Sequence, residues 1–139
     1  MMRNDMRLKR LLLIAAIFCA HDANAKPACE HGSPDVLEML EWTTTHGDQS
    51  AGITLKVFNP NDREINRIDA TAWFKDAAGA VIGQIKIDPD LHLEASKFIY
   101  DVSDLPWAGG LEAVARKDIS GVICTLSVLF VDGTAQEFK

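Results

Sequence analysis

Short runs in which apolar and polar side chains alternate occupy most of the chain after residue 50. Ile53, Leu55 and Val57 alternate with polar residues, and the longest run of this kind extends from Val122 to Phe130. Alternation with a period of two predicts strands that bury one face. Similar runs lie at residues 68–75, 81–87 and 98–102. In the last of these, the apolar positions are Phe98, Tyr100 and Val102. A weaker run lies at residues 111–115.

Turn residues separate these runs, and no ten-residue helical pattern lies between them. Asp132-Gly133 favours a two-residue hairpin turn, after which the chain returns through residues 134–138. The stretch 36–45 is ambiguous, because Ser33-Pro34 could begin a helix while Trp42 and the three threonines after it favour a strand. We interpret it as the first strand. The pattern predicts an all-β fold, a single antiparallel immunoglobulin-like β-sandwich of seven or eight strands, with a small closed barrel as the alternative.

The first 25 residues have the layout of a secretory signal peptide. Basic residues precede the apolar run Leu11–Ala20, and Ala23-Asn24-Ala25 forms a small-residue cleavage site. This run is half of the roughly 20 apolar residues that a transmembrane helix needs, although an uncleaved anchor is the alternative. We therefore expect cleavage after Ala25, a single β-sandwich domain at residues 26–139, and a periplasmic or secreted location.

Removal of this leader changes the charge of the chain. It takes four basic and two acidic residues from totals of 14 and 20, which leaves 10 basic and 18 acidic residues and a net charge of −8. No basic stripe remains, so we expect no nucleic-acid partner. Negative charge also disfavours anionic membrane surfaces, and we expect no stable membrane insertion after the signal is removed.

Two cysteines remain in the predicted mature chain, Cys29 and Cys124. In an oxidising compartment they can pair in only one way, so we predict one disulfide; two free, buried thiols are the alternative. Because Cys29 precedes the first strand, this bond would not be the antibody-type bridge between two central strands. Closing so long a loop stabilises by about 4–5 kcal/mol in the chain-entropy model.

Candidate chemistry is sparse. Residues 59–64, Asn-Pro-Asn-Asp-Arg-Glu, place the carboxylates Asp62 and Glu64 beside Arg63, as a small active site could. We interpret them as a turn that forms a hairpin-type connection between strands, because Asn, Pro and Asp are turn formers and Pro60 ends a strand. The three mature histidines His31, His46 and His92 lack metal-ligand spacing. We expect no catalytic residue, no metal and no cofactor.

Two tryptophans are candidates for packing or for binding. Trp73 lies on the strand face opposite the apolar row that contains Phe74, and we expect its ring to pack in the core. Trp107 lies in the loop segment 105–110, Leu-Pro-Trp-Ala-Gly-Gly. A loop tryptophan can anchor a partner, or it can fold back onto the edge of the sandwich. Trp107 is therefore a possible partner contact.

The segment 53–83 resembles the FxLYD family of small extracytoplasmic immunoglobulin-like domains. The matching features are the strand Ile53–Phe58, the turn 59–64, the run Trp73-Phe74-Lys75-Asp76, then Gly79 and Val81-Ile82-Gly83. Lys75 replaces the usual tyrosine, and Leu93-Glu94-Ala95 stands where the family has Pro-Gly. Asn59-Pro60-Asn61 is also similar to a motif of the water-stress late-embryogenesis-abundant domain. The resemblance implies an exported, non-enzymatic domain and transfers no catalytic residue.

Three functional hypotheses follow. We favour a non-enzymatic domain that binds another extracytoplasmic protein or an envelope component. An inhibitor or immunity protein against an exported enzyme is the second hypothesis, because small size, acidity and a disulfide also suit that role. A small hydrolase with carboxylates brought together by the fold is the third.

Overall fold

A computed structural model describes residues 28–46, 51–105 and 108–139. The predicted signal peptide, residues 1–25, lies outside these ranges, and so does Trp107. The described ranges contain seven strands, which are β1 (Glu38–His46), β2 (Ala51–Phe58), β3 (Ile65–Lys75), β4 (Val81–Lys86), β5 (Phe98–Asp104), β6 (Ser120–Phe130) and β7 (Ala135–Glu137). The ambiguous stretch 36–45 is therefore a strand for most of its length, as predicted.

The strands form two antiparallel sheets, with the orders β1-β2-β5 and β4-β3-β6-β7. The connections β2 to β3, β4 to β5 and β5 to β6 each cross from one sheet to the other, as in immunoglobulin-like sandwiches. The described strands thus make two layers rather than the alternative closed barrel. This confirms the predicted all-β sandwich of seven or eight strands, of which the described residues contain seven.

The core lies between the inner faces of the two sheets. In β2 the side chains of Ile53, Leu55 and Val57 are fully buried, and so is Phe74 near the end of β3. Trp42 of β1 packs on Phe74 edge to face, with the ring centroids 5.1 Å apart. The alternation therefore identified the buried faces of β2 and β3 correctly. In β6 a bulge opposite Asp69 and Ala70 changes the phase, so Val128 and Phe130 lie in the core while Val122 and Leu126 face outward.

The weak strand predicted at 111–115 is absent. A short helix, α1 (Ala108–Glu112), and a 3₁₀ turn at Arg116–Asp118 occupy this region. Leu111 is buried against Gly83 of β4 and belongs to the hydrophobic core. Leucine, glutamate and alanine are good helix formers and alanine is a poor strand former, so alternation in a five-residue segment is weak evidence for a strand.

The hairpin between β6 and β7 is confirmed, but its loop is longer than predicted. Phe130 N–H donates to the Thr134 carbonyl and Gly133 N–H donates to the Phe130 carbonyl, so residues 131–133 form a three-residue loop. Gly133 has φ +86°, the left-handed conformation that this loop requires at its last position. The sequence pair Asp-Gly indicates both turn types, and the strand register selects between them.

The N-terminal segment lies on the outer face of the four-stranded sheet. Cys29 is disulfide-bonded to Cys124 of β6, which confirms the predicted bond between an N-terminal cysteine and a late strand. Ser33 and Thr125 exchange backbone hydrogen bonds of 2.9 Å each. Gly32 has φ +86°, and a Cβ atom there would lie 2.5 Å from the Thr125 carbonyl oxygen. Glycine is therefore required for this close approach.

Candidate functional site

The outer face of β5 carries three exposed apolar side chains in a row. Phe98, Tyr100 and Val102 are 49%, 58% and 72% exposed. The predicted strand is therefore present, but its apolar row faces solvent. The inner face of β5 contributes Ile99 and Asp101 instead.

The register of β5 against β2 explains this orientation. At the two ends of the ladder, Asn59 N–H donates to the Lys97 carbonyl and Leu105 N–H donates to the Ala51 carbonyl, both at 2.9 Å. Leu105 is buried, so the odd-numbered residues of β5 must point to the core. A shift of one residue would move the whole row inward.

The same register leaves one backbone edge of β5 open. In an antiparallel ladder, alternate residues direct their N–H and C=O groups toward the partner strand. The odd-numbered residues 97–105 bond to β2, so the backbone groups of the even-numbered residues 98–104 point the other way. β5 is the outer strand of its sheet, and no described residue donates or accepts a hydrogen bond at these even-numbered backbone groups.

The exposed side chains contact one another and the neighbouring strand. The rings of Phe98 and Tyr100 pack edge to face with centroids 5.8 Å apart. Lys56 of β2, which lies opposite Tyr100 in the ladder, places its Nζ 4.4 Å from the centre of the Phe98 ring. Each such contact stabilises by about 0.5–1.5 kcal/mol and favours this arrangement of the two rings. We call this exposed apolar row the β5 strip (Phe98, Tyr100 and Val102).

Asp101 is an acid on the buried side of the same strand, and it is only 8% exposed. Burial raises the pKa of its carboxyl group; the Asp88 backbone N–H, which donates to Asp101 Oδ2 at 3.5 Å, opposes the shift, and the charge of Asp88 adds to it. A charged group directed inward from an outer strand disfavours unintended strand pairing. Asp101 therefore restricts which strands can pair with this edge.

The segment 59–64, which resembled a charged site, is a structural connection between the two sheets. Asn59 is fully buried, and its Nδ2 donates to the Arg63, Leu93 and Glu94 carbonyls at 2.9, 3.2 and 3.2 Å. Its Oδ1 accepts from the Asn61 N–H at 2.9 Å. The predicted turn is thus correct, but it crosses between layers, whereas a hairpin-type connection was expected.

The charged residues of this segment do not converge on one another. Arg63 lies over the Phe130 ring, 3.8 Å from its centroid, and 3.9 Å from Asp132. Glu64 pairs with His92 on the surface, and Asp62 is exposed. The two acids therefore share no partner and form no common site.

A concave surface lies under the N-terminal segment. It is a cavity of about 230 Å³, lined by Trp73, Val81, Val122 and Leu126 of the four-stranded sheet and by Ala28, Glu30 and His31 of that segment. The expectation that Trp73 packs in the core is wrong, because its side chain is half-buried on the outer face of β3. The register of β3 against β6 sets this orientation. Trp73 lies opposite Val122, and paired residues of neighbouring strands direct their side chains to the same face.

The remaining polar candidates lie apart from one another. His31 pairs with Glu30 at 4.0 Å, and His46 pairs with Glu112 at 2.9 Å. Within residues 28–46, 51–105 and 108–139, no group of three or more His, Cys, Asp or Glu side chains could hold a metal ion. Asp88-Pro89-Asp90 forms a turn, in which Asp88 Oδ1 accepts the Asp90 N–H at 3.0 Å.

The β5 strip was not recognised as exposed from the sequence. A signal was present, because Ile99 lies between Phe98 and Tyr100 and makes both faces of the strand apolar at this point. Trp107, the possible partner contact, lies outside the described residues. No helix in the described ranges is long and apolar enough to cross a membrane. No family model, no curated protein and no solved structure matches this chain.

Proposed function

We propose that this chain is an exported, non-catalytic β-sandwich domain that binds protein by strand addition at the edge of β5. The observation that carries the proposal is the β5 strip, three alternating apolar side chains that are 49%, 58% and 72% exposed. They lie on a strand whose outer backbone edge pairs with no described strand. The occupant is an extended polypeptide segment with apolar side chains at alternate positions, because such a segment satisfies both features at once.

Outer strands of soluble proteins are commonly protected by lysine, proline or a bulge. Between Phe98 and Asp104 the sequence Phe-Ile-Tyr-Asp-Val-Ser-Asp has neither lysine nor proline, and the register with β2 has no bulge. Asp104 ends the strand, and Asp101 directs its carboxyl group inward, on the face opposite the β5 strip. Asp101 restricts which strands can pair here. The outer face of this edge is nevertheless apolar along its centre, which suits a partner strand with apolar side chains.

The strip is small enough to indicate reversible binding. If an aromatic side chain presents roughly 200 Å² and about half is exposed, Phe98 and Tyr100 together offer about 200 Å², and the strip with Val102 offers about 300 Å². Stable interfaces bury about 800 Å² on each partner, and smaller ones are transient. The backbone hydrogen bonds of an added strand supply directional contacts that this area alone lacks.

Two further observations support an extracytoplasmic setting. The Cys29–Cys124 disulfide suits an oxidising compartment, and residues 1–25 have the layout of a signal peptide. The resemblance of residues 53–83 to the FxLYD family, which implies a non-enzymatic domain, agrees with the proposal. An inhibitor of an exported enzyme would be one form of such binding.

Site-specific photo-crosslinking tests the proposal. A benzophenone amino acid replaces Tyr100 in the exported protein, and the matched control carries it at Gln84, an exposed position of β4 in the other sheet. We expect adducts at position 100 that disappear when Val102→Lys is added, since lysine on the strip blocks apolar packing. Circular dichroism verifies that this variant is folded.

Equal adduct yields at positions 100 and 84, or adducts at 100 that survive Val102→Lys, would contradict the proposal. If the captured protein is a hydrolase whose activity falls on binding, the inhibitor hypothesis is supported. If it is a protein without catalytic activity, the general binding hypothesis is supported.

A further inference from the structure

The β5 edge is complementary to a second copy of itself. We propose, on the basis of the strand-addition function above, that the strand added to β5 is β5 of another copy, antiparallel and related by a twofold axis at Tyr100. The two three-stranded sheets would then join into one continuous sheet across the axis.

The register follows from the directions of the backbone groups. Only the even-numbered residues 98–104 direct N–H and C=O groups to the open edge. With the axis at Tyr100, Phe98 of each copy lies opposite Val102 of the other, and the two Tyr100 residues lie opposite each other. Each of these pairs exchanges both backbone hydrogen bonds, and all three members of the strip are used.

Neighbouring registers are less favourable. A shift that places the axis at Asp101 would bring two Asp101 carboxyl groups face to face and set Phe98 opposite Asp104. A shift that places the axis at Ile99 would set Val102 opposite Ser96, which has φ 57° and precedes the strand. The register centred on Tyr100 pairs an aromatic with a β-branched side chain on either side of the axis, which is a favourable cross-strand combination.

Charge at the ends of the strand favours the antiparallel arrangement. Lys97 precedes β5 and is exposed, and Asp104 ends it and is also exposed. In the antiparallel register Lys97 of one copy lies opposite Ser103 of the other, beside Asp104. A parallel pair would set lysine beside lysine and aspartate beside aspartate.

The area of the strip predicts a weak dimer. Each copy offers at most about 300 Å² of strip surface, and edge-to-edge pairing covers only part of it because the outer face of the sheet stays open. This area is well below the roughly 800 Å² per partner of a stable interface, so we expect a dissociation constant on the order of 10 μM to 1 mM. A strand pair of this size forms reversibly at high local concentration.

Cysteine crosslinking tests the register. Residues opposite each other in a hydrogen-bonded pair have Cα atoms about 5.5 Å apart, within the range of a disulfide. In the oxidised protein, Tyr100→Cys should form a disulfide-linked dimer under mild copper-phenanthroline oxidation. Phe98→Cys and Val102→Cys should not do so singly, but an equimolar mixture of these two variants should. Gln84→Cys on β4 is the matched control.

The dimer proposal would be overturned if Tyr100→Cys crosslinked no faster than Gln84→Cys, or if Val102→Cys alone crosslinked as fast as Tyr100→Cys. Sedimentation velocity of the unsubstituted protein provides a second measurement. We expect the mean mass to rise with concentration up to about 1 mM, and at least a tenfold weakening of association in Val102→Lys.

A protein that stays monomeric throughout this range refutes self-pairing. In that case, position-100 photo-adducts to a different protein that require Val102 would leave the strand-addition function intact. Loss of both self-association and all such adducts would refute the two proposals together.

Discussion

Asn59 holds together the crossing between the two sheets, and its removal should destabilise the protein strongly. The side chain is fully buried, and its amide donates to the carbonyls of Arg63, Leu93 and Glu94 while its oxygen accepts the backbone N–H of Asn61. Asn59→Ala deletes every one of these hydrogen bonds and leaves the backbone of the loop without its central partner.

The expected magnitude depends on which groups are left without any partner. The Leu93 and Glu94 carbonyls also accept backbone N–H groups at 2.9 and 3.3 Å, so they retain one bond each. The Arg63 carbonyl and the Asn61 N–H lose the partners described for them. An unsatisfied buried group costs about 1–3 kcal/mol, so two give about 2–6 kcal/mol, and partial exposure of the loop places the expected loss near 3 kcal/mol.

Asn59→Asp separates hydrogen bonding from the loss of volume. Aspartate has the same size as asparagine, but its carboxylate cannot donate and would set a negative charge against three carbonyl oxygens. At pH 7 we expect Asn59→Asp to be less stable than Asn59→Ala. Near pH 4 the difference should shrink, because a protonated carboxyl regains one donor.

Urea denaturation of the oxidised protein, followed by circular dichroism, measures these changes as shifts in midpoint at constant slope. Asn66→Ala, an exposed asparagine of β3, is the control and should lie within about 0.5 kcal/mol of the unsubstituted protein. The reasoning fails if Asn59→Ala matches that control, or if Asn59→Asp is the more stable of the two Asn59 variants at pH 7.

Three further predictions use the same denaturation assay. Gly32 and Gly79 both have positive φ, but of these two only Gly32 would place a Cβ against a backbone oxygen, at 2.5 Å. Gly32→Ala should therefore lower the free energy of unfolding by about 1–3 kcal/mol more than Gly79→Ala does. Equal losses in the two variants would contradict the clash. Thr125 Oγ1 is buried without a hydrogen-bond partner among the described residues, so Thr125→Val should stabilise by about 1 kcal/mol, and a destabilised variant would reveal a partner. The raised pKa of Asp101 means that the folded state binds its proton more tightly than the unfolded chain does. Ionisation of Asp101 therefore lowers the free energy of unfolding as the pH rises above the ordinary carboxyl pKa of about 3.9. Asp101→Asn should therefore be more stable than the unsubstituted protein at pH 7, and the two should converge below that pKa; a constant difference across this range would contradict the assignment.

Local patterns in the sequence predicted most of the architecture. Strands β2, β3 and β6 were identified because a half-buried strand must alternate, and that constraint acts on each short segment independently. The disulfide could be assigned because Cys29 and Cys124 had no other partners once the signal peptide was set aside. The turn at 59–64 followed from the known preferences of asparagine and proline.

The incorrect predictions concern segments in which local preferences were balanced. The sequence of residues 111–115 is compatible with a strand by its alternation and with a helix by its composition. The burial of Leu111 against β4 favours the helix. Trp73 could have faced either side of β3, and the pairing of β3 with β6 places it outside the core. In each case the deciding contact comes from a residue distant along the chain.

The candidate site depends on the same kind of long-range information. The sequence by itself determined that residues 98–102 form a strand and that residues 59–64 form a turn, because strand alternation and turn propensity are local properties. Only the tertiary structure decided that Asn59 is buried, that β5 lies at the outside of its sheet, and that Phe98, Tyr100 and Val102 face solvent. The physical reason is that strand order and register are set by backbone hydrogen bonds between distant segments, and a change of one residue in register exchanges the two faces of a strand.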